Sequence, residues 1–143
     1  MIDINNEQEL KKIIMNHYVN AENKGFKNGI NSFKKEFKSD TCSDEIIAEF
    51  IIEDNKFKEI NFEGRACAVS TASADILFSM IKDLSFDQAL DLIKTYEEMI
   101  LENKLDNPEK LDKLIAFKNI YKQKNRIMCA LLASNGIKEI IIK

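Results

Sequence analysis

The chain predicts an α+β domain: an N-terminal helix, a small three-stranded antiparallel sheet, then several C-terminal helices packed on it. Three observations carry that prediction. Apolar residues recur at helical spacing near the start and throughout the second half, after Gly64. Between Gly29 and Gly64 the pattern changes to β-branched clusters and strict alternation. No internal repeat or linker interrupts the 143 residues, so 1–143 is read as one domain, long enough to bury a core unaided.

The first helix should run from Asn6 to about Tyr18. Leu10, Ile13, Ile14 and His17 share one face, and Asn6 is placed to cap with Glu9 three residues on. Gly25 and Gly29 break that pattern. Strands are expected over 30–38, 45–53 and 56–63. The second is rich in isoleucine, and Glu53-Asp54-Asn55-Lys56 is polar enough for a hairpin turn. In the third, Ile60 and Phe62 alternate with Glu59, Asn61 and Glu63. Cys67 to about Lys82 reads as a helix with Val69, Ala72, Ile76 and Met80 on one side. Ser85 and Gln88 form a capping box before the stripe Phe86, Ala89, Leu90, Ile93, Tyr96 and Ile100. Asn107-Pro108 starts a further helix that buries Leu111, Leu114 and Ile115. The last helix should contain Arg126 to Ser134, with Gly136 capping or interrupting it.

Composition narrows the function. A net charge of −3 gives no support to nucleic-acid binding, which needs a basic face. No apolar run reaches the roughly 20 residues of a membrane helix. The first residues, MIDINNEQELKK, lack the layout of a secretory signal, so a cytoplasmic protein with reduced thiols is expected. The odd count of three cysteines also argues against a disulfide framework.

Those cysteines are the main chemical feature. Cys42, Cys67 and Cys129 lie 25 and 62 residues apart, and Asp44 stands two residues after the first. Cys42 and Asp44 are placed in the loop between the first two strands, where positions i and i+2 of extended chain point the same way. Cys67 opens a helix, whose N-terminus favours an anionic sulfur. Arg126 lies one helical turn before Cys129 and could support that thiolate. Three thiolates and a carboxylate suit tetrahedral zinc, and the same sulfurs could accept sulfane sulfur or hold an iron–sulfur cluster. Without a CxxC pair, spacing alone leaves a second reading open, in which the cysteines are separate buried apolar side chains. His17 is read as packed or hydrogen-bonded inside the first helix, and Lys118, Lys122 and Lys124 as a solvated helix end. Asp75 is read as facing solvent or a helix terminus. Ser70, Thr71 and Ser73 lack a histidine partner for nucleophilic chemistry.

The blocks LKKIIMNHY, TCSDEI, FEGRACAVSTASADIL and RIMCALLA resemble, in order, corresponding blocks of the IscU/SufU family of iron–sulfur assembly proteins. The likeness runs from Leu10 to about Ala133. The long interval between Cys67 and Cys129 resembles the SufU branch, as does Arg-x-x-Cys at Arg126. IscU scaffolds usually carry histidine where this chain has Met128. Two departures stand out: Ser39-Asp40-Thr41-Cys42-Ser43-Asp44 replaces an Asn-Pro…Cys-Gly pattern, and Ala66 replaces a common glycine.

The resemblance implies a zinc-dependent sulfurtransferase acting with a cysteine desulfurase of the SufS type. It implies Cys42, Asp44, Cys67 and Cys129 as zinc ligands, and Cys42 as the sulfur acceptor. Relay to a downstream iron–sulfur scaffold or apo-proteins would follow. The alternative implied by the same family is a scaffold on which a [2Fe–2S] cluster is built.

Overall fold

A computed structural model describes residues 2–39 and 42–142, with Cys42 described by its backbone alone. Helix α1 spans Glu7–Val19, and the Asn6 side chain caps it by accepting the Glu9 N–H. Strands β1 (Phe33–Ser39), β2 (Cys42–Glu53) and β3 (Lys56–Arg65) form an antiparallel meander in the order β1-β2-β3. Helices α2 (Ala68–Ile81) and α3 (Phe86–Glu102) follow. A short α4 (Pro108–Leu111) runs into two 3₁₀ segments, Asp112–Phe117 and Ile120–Lys122, before the long α5 (Lys124–Ile142). The expected α+β layout is what the chain adopts.

The β2–β3 turn is Asp54-Asn55, both with positive φ (53° and 59°), the backbone a tight hairpin with right-handed strand twist requires. A bulge near Ile51/Ile52 places Lys58 as the extra residue on β3. It resets the alternation, so that Phe57 as well as Ile60 and Phe62 reaches the core. The opposite face is not simply solvated. Asn61 and its cross-strand neighbour Glu49 are buried there beneath the segment before β1. Glu49 accepts the backbone N–H groups of Lys27 and Asn28, and Asn61 donates to the Asn23 carbonyl.

Helix α2 is buried on all sides from Ser70 to Phe78, wider than the single apolar face expected. It lies against the sheet with α1 and α5 on its flanks. Phe78 meets both Phe37 of β1 and Phe62 of β3 edge-on. The capping box at Ser85 and Gln88 forms as expected, and α3 buries Ala89, Leu92, Ile93, Tyr96, Met99 and Ile100.

Several boundaries differ from expectation. Helix α5 passes straight through Gly136 and ends eight residues beyond Ser134, at Ile142. Glycine there is neither cap nor break: a Cβ would sit 2.5 Å from the Phe37 ring, so its absence lets α5 close on β1. The helix after Pro108 tightens into 3₁₀ geometry, yet still buries Leu111, Leu114 and Ile115. Strand β1 begins at Phe33, three residues later than expected. Strand β2 begins at Cys42, so Cys42 and Asp44 belong to a strand and not to the loop between strands. The cause is backbone pairing of Ser39 with Cys42, which leaves only Asp40 and Thr41 between the strands.

Candidate metal centre

The site is assembled where the start of β2, the end of β3 and two helices meet. Gly64 makes the approach possible. Its φ of +138° is open mainly to glycine, and a Cβ there would lie 2.2 Å from the Glu45 carbonyl oxygen. Strand β3 ends at Arg65, and Cys67 becomes the N-cap of α2. Its Sγ accepts the Ser70 N–H at 3.4 Å, in the position an oxygen occupies in most N-caps.

Asp44, two residues into β2 from Cys42, reaches across to this cap. Its Oδ1 accepts the Cys67 backbone N–H at 3.0 Å, and its Oδ2 accepts the Ser70 hydroxyl at 2.6 Å. Cys129 enters from α5, buried, with its carbonyl 3.1 Å from Ser70 Oγ. One ligand atom from each of Asp44, Cys67 and Cys129 lies within 4.8 Å of the others, a spacing able to hold one metal ion. Cys67 is half-buried, so the cluster is open to solvent on that side. Among the described residues this is the only such group of metal-ligating side chains.

The side chain of Cys42 lies outside the described residues, as do Asp40 and Thr41 of the altered loop. The backbone puts Cys42 at the start of β2, two positions before Asp44. Arg126 is exposed in the first turn of α5, and Lys122 and Lys124 beside it are exposed too.

Ser70, which lacks a histidine partner for nucleophilic chemistry, is nevertheless a member of the site. The signal was its place three residues after a cysteine N-cap, one turn along the helix and beside the sulfur. Asp75 was also misjudged. It is fully buried, with Oδ2 2.6 Å from His17 Nδ1 and Oδ1 accepting the Asn23 N–H at 2.8 Å. His17 is thus hydrogen-bonded inside the fold, to a residue of α2 about two turns beyond Cys67.

A carboxylate and two thiols converge from a strand, a helix cap and a second helix, a group that could hold a metal ion. Zinc accepts this donor set: thiolate sulfur and carboxylate oxygen in a four-coordinate shell. Residues 9–143 match the NifU-like N-terminal domain, and the chain belongs to that family. It is 29% identical over 133 residues to the zinc-dependent sulfurtransferase SufU of Bacillus subtilis, covering 93% of this chain and 89% of that protein. It is 30% identical over 109 residues to the iron–sulfur cluster assembly scaffold protein IscU of Thermotoga maritima, covering 76% of each. A crystal structure from Fervidobacterium islandicum, assigned as an iron–sulfur cluster assembly scaffold for the SUF system, superposes with a TM-score of 0.80. It is 28% identical and covers 92% of this chain and 95% of that one. Among the described residues no helix is long and apolar enough to cross a membrane.

Proposed function

We propose that this protein carries sulfur in iron–sulfur cluster assembly, with Cys42, Asp44, Cys67 and Cys129 as ligands of one zinc ion. The observation that carries the reading is the gathering of Asp44, Cys67 and Cys129 within 4.8 Å from three separate elements. The likeness to SufU over nearly the whole chain supports the sulfur-carrying role. Zinc held there supplies a charge that keeps the sulfurs deprotonated at neutral pH.

The chain's own residues then do the following. Asp44, fixed by the Cys67 N–H and the Ser70 hydroxyl, presents a carboxylate of set orientation. Cys67 and Cys129 are held by the start of α2 and by the buried stretch of α5. Cys42 stands at the first residue of β2, two positions before Asp44. The donor is the persulfide of a cysteine desulfurase of the SufS type. The Cys42 thiolate attacks the outer sulfur, a new S–S bond forms, and the desulfurase's own S–S bond breaks to release its thiolate. The proton on the outer sulfur travels with it, so no external oxidant or reductant is needed. Arg126, one turn before Cys129, is the cation assigned to support the anionic cluster. The sulfur then passes to a downstream scaffold or apo-protein.

The test has two parts. Protein purified without added metal should contain about one zinc per chain. Cys42→Ala should abolish stimulation of a cognate desulfurase while circular dichroism stays unchanged. Stimulation that survives the substitution removes Cys42 from the acceptor role. The second reading, a [2Fe–2S] scaffold, is favoured by the 30% identity to scaffold proteins named IscU. Anaerobic reconstitution separates the two: a stable cluster passed quickly to an apo-acceptor, without desulfurase stimulation, would select the scaffold.

A further inference from the structure

Ser70 has no counterpart among the proposed ligands, yet it touches three of the four components of the cluster. Its side chain is fully buried. The hydroxyl lies 2.6 Å from Asp44 Oδ2, 3.1 Å from the Cys129 carbonyl and 3.7 Å from Cys67 Sγ. A serine has one hydroxyl proton to give. The nearest acceptor is also the charged one, and charge-assisted bonds are short and strong, so the proton goes to Asp44. The Ser70 backbone N–H is already committed to Cys67 Sγ. One residue therefore orients the carboxylate through its side chain and the first helical sulfur through its backbone.

Asp44 needs such a partner. It projects from a strand, while both described sulfurs come from helices, and a free carboxylate rotates about its own side-chain bonds. With Oδ1 tied to the Cys67 N–H and Oδ2 to Ser70, the carboxylate plane is set, and a carboxylate oxygen that accepts a hydrogen bond can still ligate an ion. Groups that bond a metal-ligating carboxylate tune affinity without touching the metal.

We propose that Ser70 is the positioning residue of this centre, holding the Asp44 carboxylate in ligating orientation against the sulfurs of Cys67 and Cys129. The inference rests on the metal-holding function proposed above.

Cobalt(II) titration of the full chain tests it, with affinity measured by chelator competition and geometry by the visible d–d and sulfur-to-cobalt absorption. Ser70→Ala removes one oxygen from the first turn of α2, where alanine keeps the helical backbone, and far-ultraviolet circular dichroism checks that the fold survives. The expected result is a loss of cobalt affinity of about 10- to 100-fold with an altered d–d envelope. The second variant is the double substitution with Asp44→Ala. If Ser70 acts through the carboxylate, adding Ser70→Ala to Asp44→Ala should change affinity by less than about twofold. A Ser70→Ala protein that titrates like the parent, with the same spectrum, overturns the proposal. So does full additivity in the double variant, which would reveal a general loosening of α2. A parent chain that takes up neither cobalt nor zinc defeats the metal-holding function itself, a result distinct from both.

Discussion

Two polar clusters lie little more than one turn apart on α2, and they are built to different ends. At the first turn, Ser70 joins Asp44, Cys67 and Cys129 in a cluster that reaches solvent at the half-buried Cys67. Further along, Asp75 joins His17 and Asn23 deep inside the fold. There the Asp75 carboxylate is consumed. One oxygen faces the His17 ring and the other accepts the Asn23 backbone and side-chain N–H groups. With Nδ1 protonated, His17 turns Nε2 toward Lys113, 3.4 Å away, so its acceptor is also used.

Residue type is a poor guide to chemistry in this chain. A histidine–aspartate pair looks catalytic on paper, but here it staples α1 and the segment after it to α2. The serine beside the cysteines looked idle and sits at the centre of the site. What separates the clusters is the donor set: the outer one gathers two sulfurs and a carboxylate oxygen within 4.8 Å, a group able to hold an ion, and the inner one contains no sulfur.

The largest effect should come from breaking the inner cluster. Asp75→Ala leaves His17 and Asn23 without their buried partner, and should cost about 3–5 kcal/mol in urea denaturation. The folded fraction should still take up metal with near-parental affinity. A large loss of metal affinity at unchanged stability would show that the two clusters are coupled.

Breaking the outer cluster should do the reverse. Cys129→Ala should lower zinc affinity by more than about 100-fold, since a lost ligand exceeds the usual effect of a lost neighbour. Stability of the metal-free chain should fall by no more than about 1–2 kcal/mol, the loss of a small buried side chain. Equal damage to the metal-free fold would make the sulfur a packing group only.

A third polar contact sharpens the contrast through pH. The buried Tyr96 hydroxyl donates to the Ala130 carbonyl at 2.9 Å, next to Cys129. Burial pushes its pKa far above the usual tyrosine value of 10, against a smaller opposing contribution from Ser73. Above pH 10 the unfolded chain therefore releases this proton while the folded chain keeps it, and stability must fall as pH rises. The slope from this group should approach about 1.4 kcal/mol per pH unit well above pH 10, with a loss of about 1 kcal/mol between pH 10 and 11, and Tyr96→Phe should remove that loss from a denaturation series. An unchanged slope in the variant would assign the alkaline loss to other groups.

The smallest effect should follow Lys113→Ala. Its side chain approaches His17 from the exposed side, and its removal should cost less than about 1 kcal/mol, read by thermal or urea unfolding. A loss as large as that of Asp75→Ala would mean the inner cluster depends on the lysine.

Much of the fold was legible in the chain because its signals are local. The Asn6 cap, the Ser85–Gln88 box and the Asp54-Asn55 turn each involve residues within four positions of one another, and each formed as expected. What escaped depended on residues far apart. Gly136 looked like a helix end because only the ring of Phe37, brought against it by folding, explains why glycine is there. Asp75 reads as facing solvent or a helix terminus because its partners, His17 and Asn23, come from a different helix and the segment beyond it.

For the site, the amino-acid order supplies the donor atoms: thiols and a carboxylate, in types and spacing that resemble one family of iron–sulfur assembly proteins. Folding is what makes Asp44, Cys67 and Cys129 converge and stands Ser70 among them. Strand pairing at Ser39–Cys42, the bare backbone at Gly64 and the close seat of α5 on β1 bring these groups together. Contacts of that kind form between segments tens of residues apart, and no local pattern of side chains encodes their distances.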